Sequence, residues 1–541
     1  MHFLKALLIV CCTLAAAIQV QAAPSAGVVG TGTPASCTEA ALDAALSNGG
    51  TISFNCGGAA TINLTSDKIL VSSTTIDGAN QITLSGRNLN RLFVANGAIQ
   101  LNLRNLTLEA GFSAVGGGAL ELVGAEVVLD KVILKNHQAT DQGGAIYCFQ
   151  GSGGSLIIRN SSFQGNRSAS GGAIYNDGCD LAIDNSDFTA NIAPTNTVTS
   201  FGGAIYSVGP TTITNSRFYR NQARDGGAIF IHTQASATIR YSNFLENTGG
   251  YGGALENTGG LTITDSLLQA NTVSGTGGAI WNSGGRLLLK RSRLLNNQAD
   301  EGGAISSYGT HAELVDLLIE ANQATGTNGG GAIFHSSGTL FISNASLIRN
   351  RASAGHGGAI YQNSDDNLTL TNVTLAENQA DQFGGGLYHK ARYAVITNST
   401  FYNNTALAGS EWYEDSPLTS EQPGIIQIGN SVVAGASNNC GGSAVQSLGF
   451  NFSDGTCAGL DTTSDQQNTN NLLLSALQVN GGRVAMPVYT PLTGSPLIDS
   501  ADPNLCPTTD QRGAARVASC DVGSVEAAVQ LPQVYLPLAI R

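Results

Sequence analysis

The sequence is poor in charge. Of 541 residues only 12% are charged and 6% aromatic, with 2 Met, 2 Trp and 13 Pro. So few charges exclude a coiled coil or long solvent-exposed helices, and a hydrophobic share of 42% excludes a disordered chain. Basic residues are outnumbered, 25 Lys and Arg against 38 Asp and Glu, and the net charge of −13 excludes a generally basic, phosphate-seeking surface. Nucleic acid is not an expected partner. No stretch beyond residue 22 approaches 18 consecutive apolar residues, so no transmembrane span is expected. Glycine is in excess at 68 residues, without the strict three-residue period of collagen.

The first 22 residues read as an export signal. Lys5 supplies the positive n-region, Ala6 to Ile18 a short apolar stretch, and Val20-Gln21-Ala22 a small-residue cleavage site, with cleavage near Ala22. A secreted or cell-surface location follows. Eight cysteines then remain, an even number suited to disulfides in an exported chain. The simplest connectivity is four local pairs, Cys37 with Cys56, Cys148 with Cys179, Cys440 with Cys457 and Cys506 with Cys520; other pairings stay open on spacing alone. No C-x-x-C or Cys/His cluster suggests zinc, and no metal or other cofactor is expected.

Internal repeats decide the expected fold. Gly-Gly-Ala followed by an aliphatic residue recurs with Ala at 119, 145, 173, 204, 228, 254, 279, 304, 332 and 359, then as Gly384-Gly385-Gly386-Leu387, at spacings of 24 to 31 residues. Between these triplets lies I-x-N-S-x-F-x-x-N, as in Ile158 to Asn166, Ile183 to Asn191, Ile213 to Asn221 and Ile396 to Asn404. Each unit thus holds three short alternating segments joined by Gly, Asn, Ser and Asp, with no helical period. Such a unit is one coil of an all-β, right-handed parallel β-helix, a solenoid with three short strands per coil. A propeller needs longer repeats, and a leucine-rich repeat needs its own consensus.

Stacked coils turn each motif position into a column. The residue after the repeat alanine is Ile or Leu in every unit and faces the core, as does the column Phe163, Phe188, Phe218, Phe244, Leu268 to Phe401. Three residues further, Asn166, Asn191, Asn221, Asn247, Asn271, Asn297, Asn322, Asn350, Asn378 and Asn404 are expected to form a stacked amide ladder. The column after the core aliphatic residue reads Tyr147, Tyr175, Tyr206, Phe230, Glu256, Trp281, Ser306, Phe334, Tyr361 and Tyr388. Period-two alternation points it out of the coil. Its eight aromatics form the candidate ligand-binding stripe for glycans or a partner surface; the alternative is self-stacking or cover by a neighbouring loop.

Gly-Gly-Ala-[Ile/Leu] paired with Phe-x-x-Asn resembles the repeats of the chlamydial polymorphic outer membrane proteins and of exported bacterial proteins of the pectin-lyase-like, right-handed β-helix superfamily, over about residues 37 to 460. The resemblance implies a capping helix from Cys37-Thr38-Glu39 to Leu46. Towards the C terminus Gly494-Ser495-Pro496-Leu497-Ile498-Asp499, Thr509-Asp510-Gln511-Arg512-Gly513 and Cys520 to Glu526 resemble the choice-of-anchor Q module, which closes such helices and precedes a sorting tail, here Val534 to Arg541. The expected organisation is a signal peptide over 1–22, an N-terminal cap over 23–50, the β-helix over 51–460 and an anchor-like module with tail over 461–541.

No catalytic residue emerges. Polygalacturonase motifs of the same fold fail residue by residue: Gly355-His356-Gly357 begins a Gly-Gly-Ala corner, and Asp365-Asp366 follow the histidine rather than precede it. His335 and His389 read as solvated turn histidines near 10 Å apart, and Asp141, Asp225, Asp300 and Asp381 as an acidic edge. If a carboxylate site exists, the expected place is the irregular segment 409–422 with Glu411, Glu414, Asp415 and Glu421. The preferred reading is an exported, monomeric, non-catalytic β-helix protein, adhesin-like, contacting polysaccharide or cell-surface and matrix components. The alternative is a divergent polysaccharide lyase or glycoside hydrolase.

Overall fold

The structure is a computed structural model and describes residues 27–527 apart from 150–153, 196–199, 310, 364–365, 391, 416–424, 437, 482–483 and 518. The export signal, Glu421 and the tail from Val534 lie outside the described residues. The chain winds as a right-handed parallel β-helix, and its repeat is the coil. In one coil the strand Ser155–Arg159 leads through Asn160 into Ser162–Gln164, and the chain then passes Asn166 and the Gly171-Gly172 corner into Ile174–Asn176. These are the three segments expected from the repeat. Strands starting at the residue after the repeat alanine continue a parallel sheet that counts 15 strands among the described residues, from Lys68–Leu70 to Cys440–Gly442, in the register Ile146, Ile174, Ile205, Ile229, Leu255, Ile280. Fifteen rungs make a rod roughly 65–70 Å long.

Local chemistry explains the corners. Asn160, Asn185 and Asn215 sit at φ of 50°, 45° and 49°, a left-handed conformation that asparagine adopts more readily than most residues, and the bend they make divides one long strand into two. At the Gly-Gly corner the first residue, Gly171, has φ +63°, and a Cβ on the second, Gly172, would stand 2.1 Å from the carbonyl oxygen of Gly203 in the next coil. Conformation requires the first glycine and coil spacing the second.

Inside the coil the aliphatic column is fully buried from Ile146 to Leu387, each side chain contributing roughly 1.5–3 kcal/mol. Phe163, Phe188, Phe218 and Phe244 stack with centroids 4.6–4.8 Å apart and planes within 6°. Beside them runs the amide ladder. Nδ2 of each asparagine donates to Oδ1 of the next, from Asn166 to Asn191 at 2.9 Å through Asn378 to Asn404 at 2.8 Å, and also to a carbonyl of the preceding coil, as Asn191 to Phe163 at 3.0 Å. Each Oδ1 in turn accepts the backbone N–H of the asparagine before it. No polar atom in this column is left without a partner, which is what permits ten buried amides. The serines of I-x-N-S form a second ladder: Ser161, Ser186 and Ser216 each donate their N–H to the next serine's Oγ at 3.2 Å.

Both ends are tied down. The helix Glu39–Leu46, capped by Thr38 Oγ1 accepting from Ala41 N–H, drops Leu42 into the core and lies where the resemblance implied a cap. Four disulfides pair Cys37 with Cys56, Cys148 with Cys179, Cys440 with Cys457 and Cys506 with Cys520. Residues 502–524 of the C-terminal segment lie along the side of the solenoid. There Asn372, Asn398 and Asn430 donate to the carbonyls of Thr509, Leu505 and Asp502 at 2.8, 2.8 and 3.0 Å. Gln511 bridges Ser346 and Thr374, and Ser524 bonds Thr374 and Thr400. Underneath, several outward positions are apolar: Leu318, Ile348 and Ala376 pack against Val484, Met486 and Tyr489. The equivalent positions in earlier coils are Ser162, Asp187 and Arg217, and Gln164 and Thr189.

Candidate functional site

The aromatic column stands outside the main core. Its rings follow the coil spacing: Tyr175–Tyr206 4.6 Å, Tyr206–Phe230 5.2 Å, Phe334–Tyr361 5.1 Å and Tyr361–Tyr388 4.9 Å between centroids. Most of the stripe is covered, in line with the alternative of self-stacking and cover. Tyr147, Phe230, Phe334, Tyr361 and Tyr388 are only 3–6% exposed, and Tyr175, Tyr206 and Trp281 are half-buried. The cause is twofold: the rings cover one another, and residues just before the glycine corners, Phe201, Tyr251, His356 and Phe383, lean over them. Burial pushes the hydroxyls of Tyr147 and Tyr175 up, Tyr147 to about 12.

The stripe breaks at Glu256. Register pairs it with Phe230 on one side and Trp281 on the other, so a carboxyl stands where neighbouring coils carry rings. Glu256 is 5% exposed; Oε1 accepts from Ser283 Oγ at 3.0 Å, and Oε2 has no partner. Trp281 Nε1 and Thr276 Oγ1, on the following coil, are likewise buried without a partner. Burial, with the negative Asp225 nearby, pushes the Glu256 carboxyl up to about 8. Arg224, the adjacent cation, is committed to Asp225 through Nε at 3.1 Å and Nη2 at 2.8 Å. Tyr251 meets Trp281 at 4.7 Å and is 36% exposed, so this end of the stripe is reachable from solvent.

The other expected groups do not assemble. His335 and His389 are fully buried, in contrast to the solvated turn expected, because the column two residues after the core aliphatic points back inside. Gln362 lies between them in register, as the spacing implied. His335 Nε2 bonds the Gly338 carbonyl at 2.7 Å, burial depresses it to about 4, and His389 Nδ1 meets Glu414 Oε2 at 2.6 Å. The described carboxylates of 409–422 are dispersed. Glu411 closes the asparagine ladder, Glu414 pairs with His389, and Asp415 accepts from the Tyr388 hydroxyl. Along the acidic edge, Asp225 is taken by Arg224 and Asp381 by Arg351. Among the described residues no three His, Cys, Asp or Glu side chains are grouped to hold a metal. Asp365 lies outside them.

Glu256 was visible in the sequence only as a gap in the aromatic column; its burial and unmet oxygen depend on the folded neighbours. Comparison with curated proteins finds no match. Residues 127–299, which include Glu256, match the family model described as "Right handed beta helix region", and this similarity agrees with the fold described above.

Proposed function

We propose that the protein is an exported, non-catalytic β-helix scaffold of adhesin-like type that contacts glycans or matrix components at the cell surface. The observation that supports this reading is that Tyr175 and Tyr206, stacked on adjacent coils, and Trp281, three coils further along the same column, stay half-buried, so their outer edges reach solvent on one side of the solenoid where a sugar ring can pack. The export-signal pattern and four disulfides agree with an oxidising, extracellular setting. Binding to a panel of neutral and acidic glycans tests it. The wild-type protein binds at least one class, and the combined Tyr175→Ala, Tyr206→Ala, Trp281→Ala variant loses that binding while its melting transition persists. Unchanged binding overturns the reading.

A second reading, a divergent polysaccharide lyase or glycoside hydrolase, is favoured by one observation: a carboxyl held protonated near neutral pH with Asp225 close by is the environment of a general acid. New reducing ends or unsaturated uronides that disappear in Glu256→Gln establish it.

A further inference from the structure

We infer that the groove over Asn160, Asn185 and Asn215 docks a further stretch of this chain, Ala528 to Arg541, by the same amide-to-backbone contacts that hold residues 502–509 further along the rod. That stretch lies outside the described residues, and the inference does not rest on the glycan reading. It starts from one column of the coil. Register stacks Asn160, Asn185 and Asn215 in consecutive coils at the bend between two strands, and the same column later carries Asn344, Asn372, Asn398 and Asn430. In the later run the amides work in two directions. Asn372 Nδ2 donates to Asn344 Oδ1 at 3.1 Å and to the Thr509 carbonyl at 2.8 Å; Asn430 Nδ2 donates to Asn398 Oδ1 at 3.3 Å and to the Asp502 carbonyl at 3.0 Å. The earlier run repeats only the first direction. Asn160 donates to Asp130 Oδ1 at 2.9 Å, Asn185 to Asn160 Oδ1 at 2.7 Å and Asn215 to Asp184 Oδ1 at 3.0 Å. Each amide nitrogen carries two hydrogens, and here the second meets no acceptor among the described residues. All three side chains are exposed, whereas Asn372, Asn398 and Asn430 lie buried under the docked segment. Over the three runs a groove of about 700 Å³, lined also by Ser162, Arg217 and Tyr241.

Reach and composition select the occupant. Glu526 N–H donates to Asp510, and Gln511 donates to Ser346, so the described chain ends beside the coils of Asn344 and Asn372. Register counts five coil steps from Asn344 back to Asn215, through Asp316, Arg291, Asp265 and Tyr241. Those steps cover about 24 Å at roughly 4.8 Å each, and residues 528–541 span roughly 45 Å when extended. About 20 Å of chain is left for the two steps from Asn215 to Asn160, the same two steps that residues 502–509 cover between Asn430 and Asn372. The docked segment contains Pro503 and Pro507, and the tail contains Pro532 and Pro537. Proline has no N–H and stays out of sheet ladders, while the carbonyls around it remain available to a line of amide donors. Between the two runs Arg291 clamps Asp265 through Nε at 2.8 Å and Nη2 at 2.7 Å, so the asparagine donors fall into two separate stations.

The test places a photo-activated benzophenone side chain at position Leu538 of the full chain and maps its cross-links by mass spectrometry. Cross-links fall within one molecule, on the coils that carry Asn160, Asn185, Asn215 and Tyr241. The double variant Asn185→Asp, Asn215→Asp exchanges the donating nitrogens for oxygens. Asp265 and Asp316 already occupy this column at φ of 53° and 55°, so the bend accepts aspartate. The variant keeps its melting transition and loses those cross-links several-fold. A second readout needs no substitution in the groove: hydroxyl-radical labelling of Tyr241 is several-fold slower in the full chain than in a chain ending at Ala527, and the peptide 528–541 restores the slow rate. Cross-links scattered over the surface, cross-links unchanged in the double variant, or equal labelling of Tyr241 with and without the tail overturn the inference. Cross-links to a second molecule overturn it as well, by making the groove a contact between copies.

Discussion

Glu411 accepts from both nitrogens of Asn404, the backbone N–H at 3.2 Å through Oε1 and Nδ2 at 2.5 Å through Oε2. It thereby stands in for the asparagine of a further coil. A ladder in which every amide passes a hydrogen onward must end on a group that accepts two and need pass none.

That ending has an energetic cost. Burial raises the Glu411 carboxyl well above 4.5, so the folded state binds a proton more tightly than the unfolded chain, and stability falls as pH rises above about 4.5 towards that raised value. Glu411→Gln keeps an acceptor and removes the charge, so its thermal transition at pH 7–8 should equal or exceed that of the wild type. Glu411→Ala leaves two buried donors unmet and should lose about 2–4 kcal/mol in denaturant titration.

The other end of the ladder is His137. Its Nδ1 accepts from Gly111 N–H at 2.9 Å and its Nε2–H donates to the Leu108 carbonyl at 3.0 Å, copying the acceptor and donor of an asparagine amide. Burial lowers its pKa to about 3, below the unfolded value of 6.5. The associated stability is complete above about pH 6.5 and is lost as pH falls towards 3. His137→Asn should flatten that acid limb in equilibrium unfolding, and His137→Leu should destabilise at every pH.

Coil spacing makes a sharp distinction between glycines. Gly172→Ala forces a Cβ to 2.1 Å from a backbone oxygen and should cost at least 3 kcal/mol or prevent folding, whereas Gly260→Ala, whose Cβ meets nothing closer than 3.9 Å, should stay within about 0.5 kcal/mol. Chemical denaturation of the two variants checks the contrast.

Docking of the C-terminal segment depends on a buried ion pair. Arg512 holds Asp510 through Nε at 2.9 Å and Nη2 at 2.7 Å, and donates to the Glu526 carbonyl. Arg512→Ala should cost roughly 3–5 kcal/mol locally, because it leaves Asp510 buried and unpaired. The Val432–Ala434–Phe452 face, covered by Leu497, Cys520 and Val522, should then bind a hydrophobic dye while the far-ultraviolet β signal persists.

By itself the sequence determined the coil. A motif repeated at coil length obliges identical residues to stack, so the core columns, the asparagine ladder and the glycine corners could be read directly, and the local cysteine pairs were the simplest of several arrangements. What the tertiary structure alone decided depends on contacts between columns or between distant segments. The aromatic stripe points outward as alternation requires, yet whether rings are open or covered is set by Phe201, Tyr251, His356 and Phe383 on a neighbouring column. Glu411 lies seven residues after Asn404 instead of a full coil, which hid its place in the ladder. The apolar outward residues Leu318, Ile348 and Ala376 carry no sign in the repeat of what covers them; only the folded chain reveals it. Repetition encodes neighbours one coil apart, and it carries no information about a partner 137 residues away such as Gln511 on Thr374.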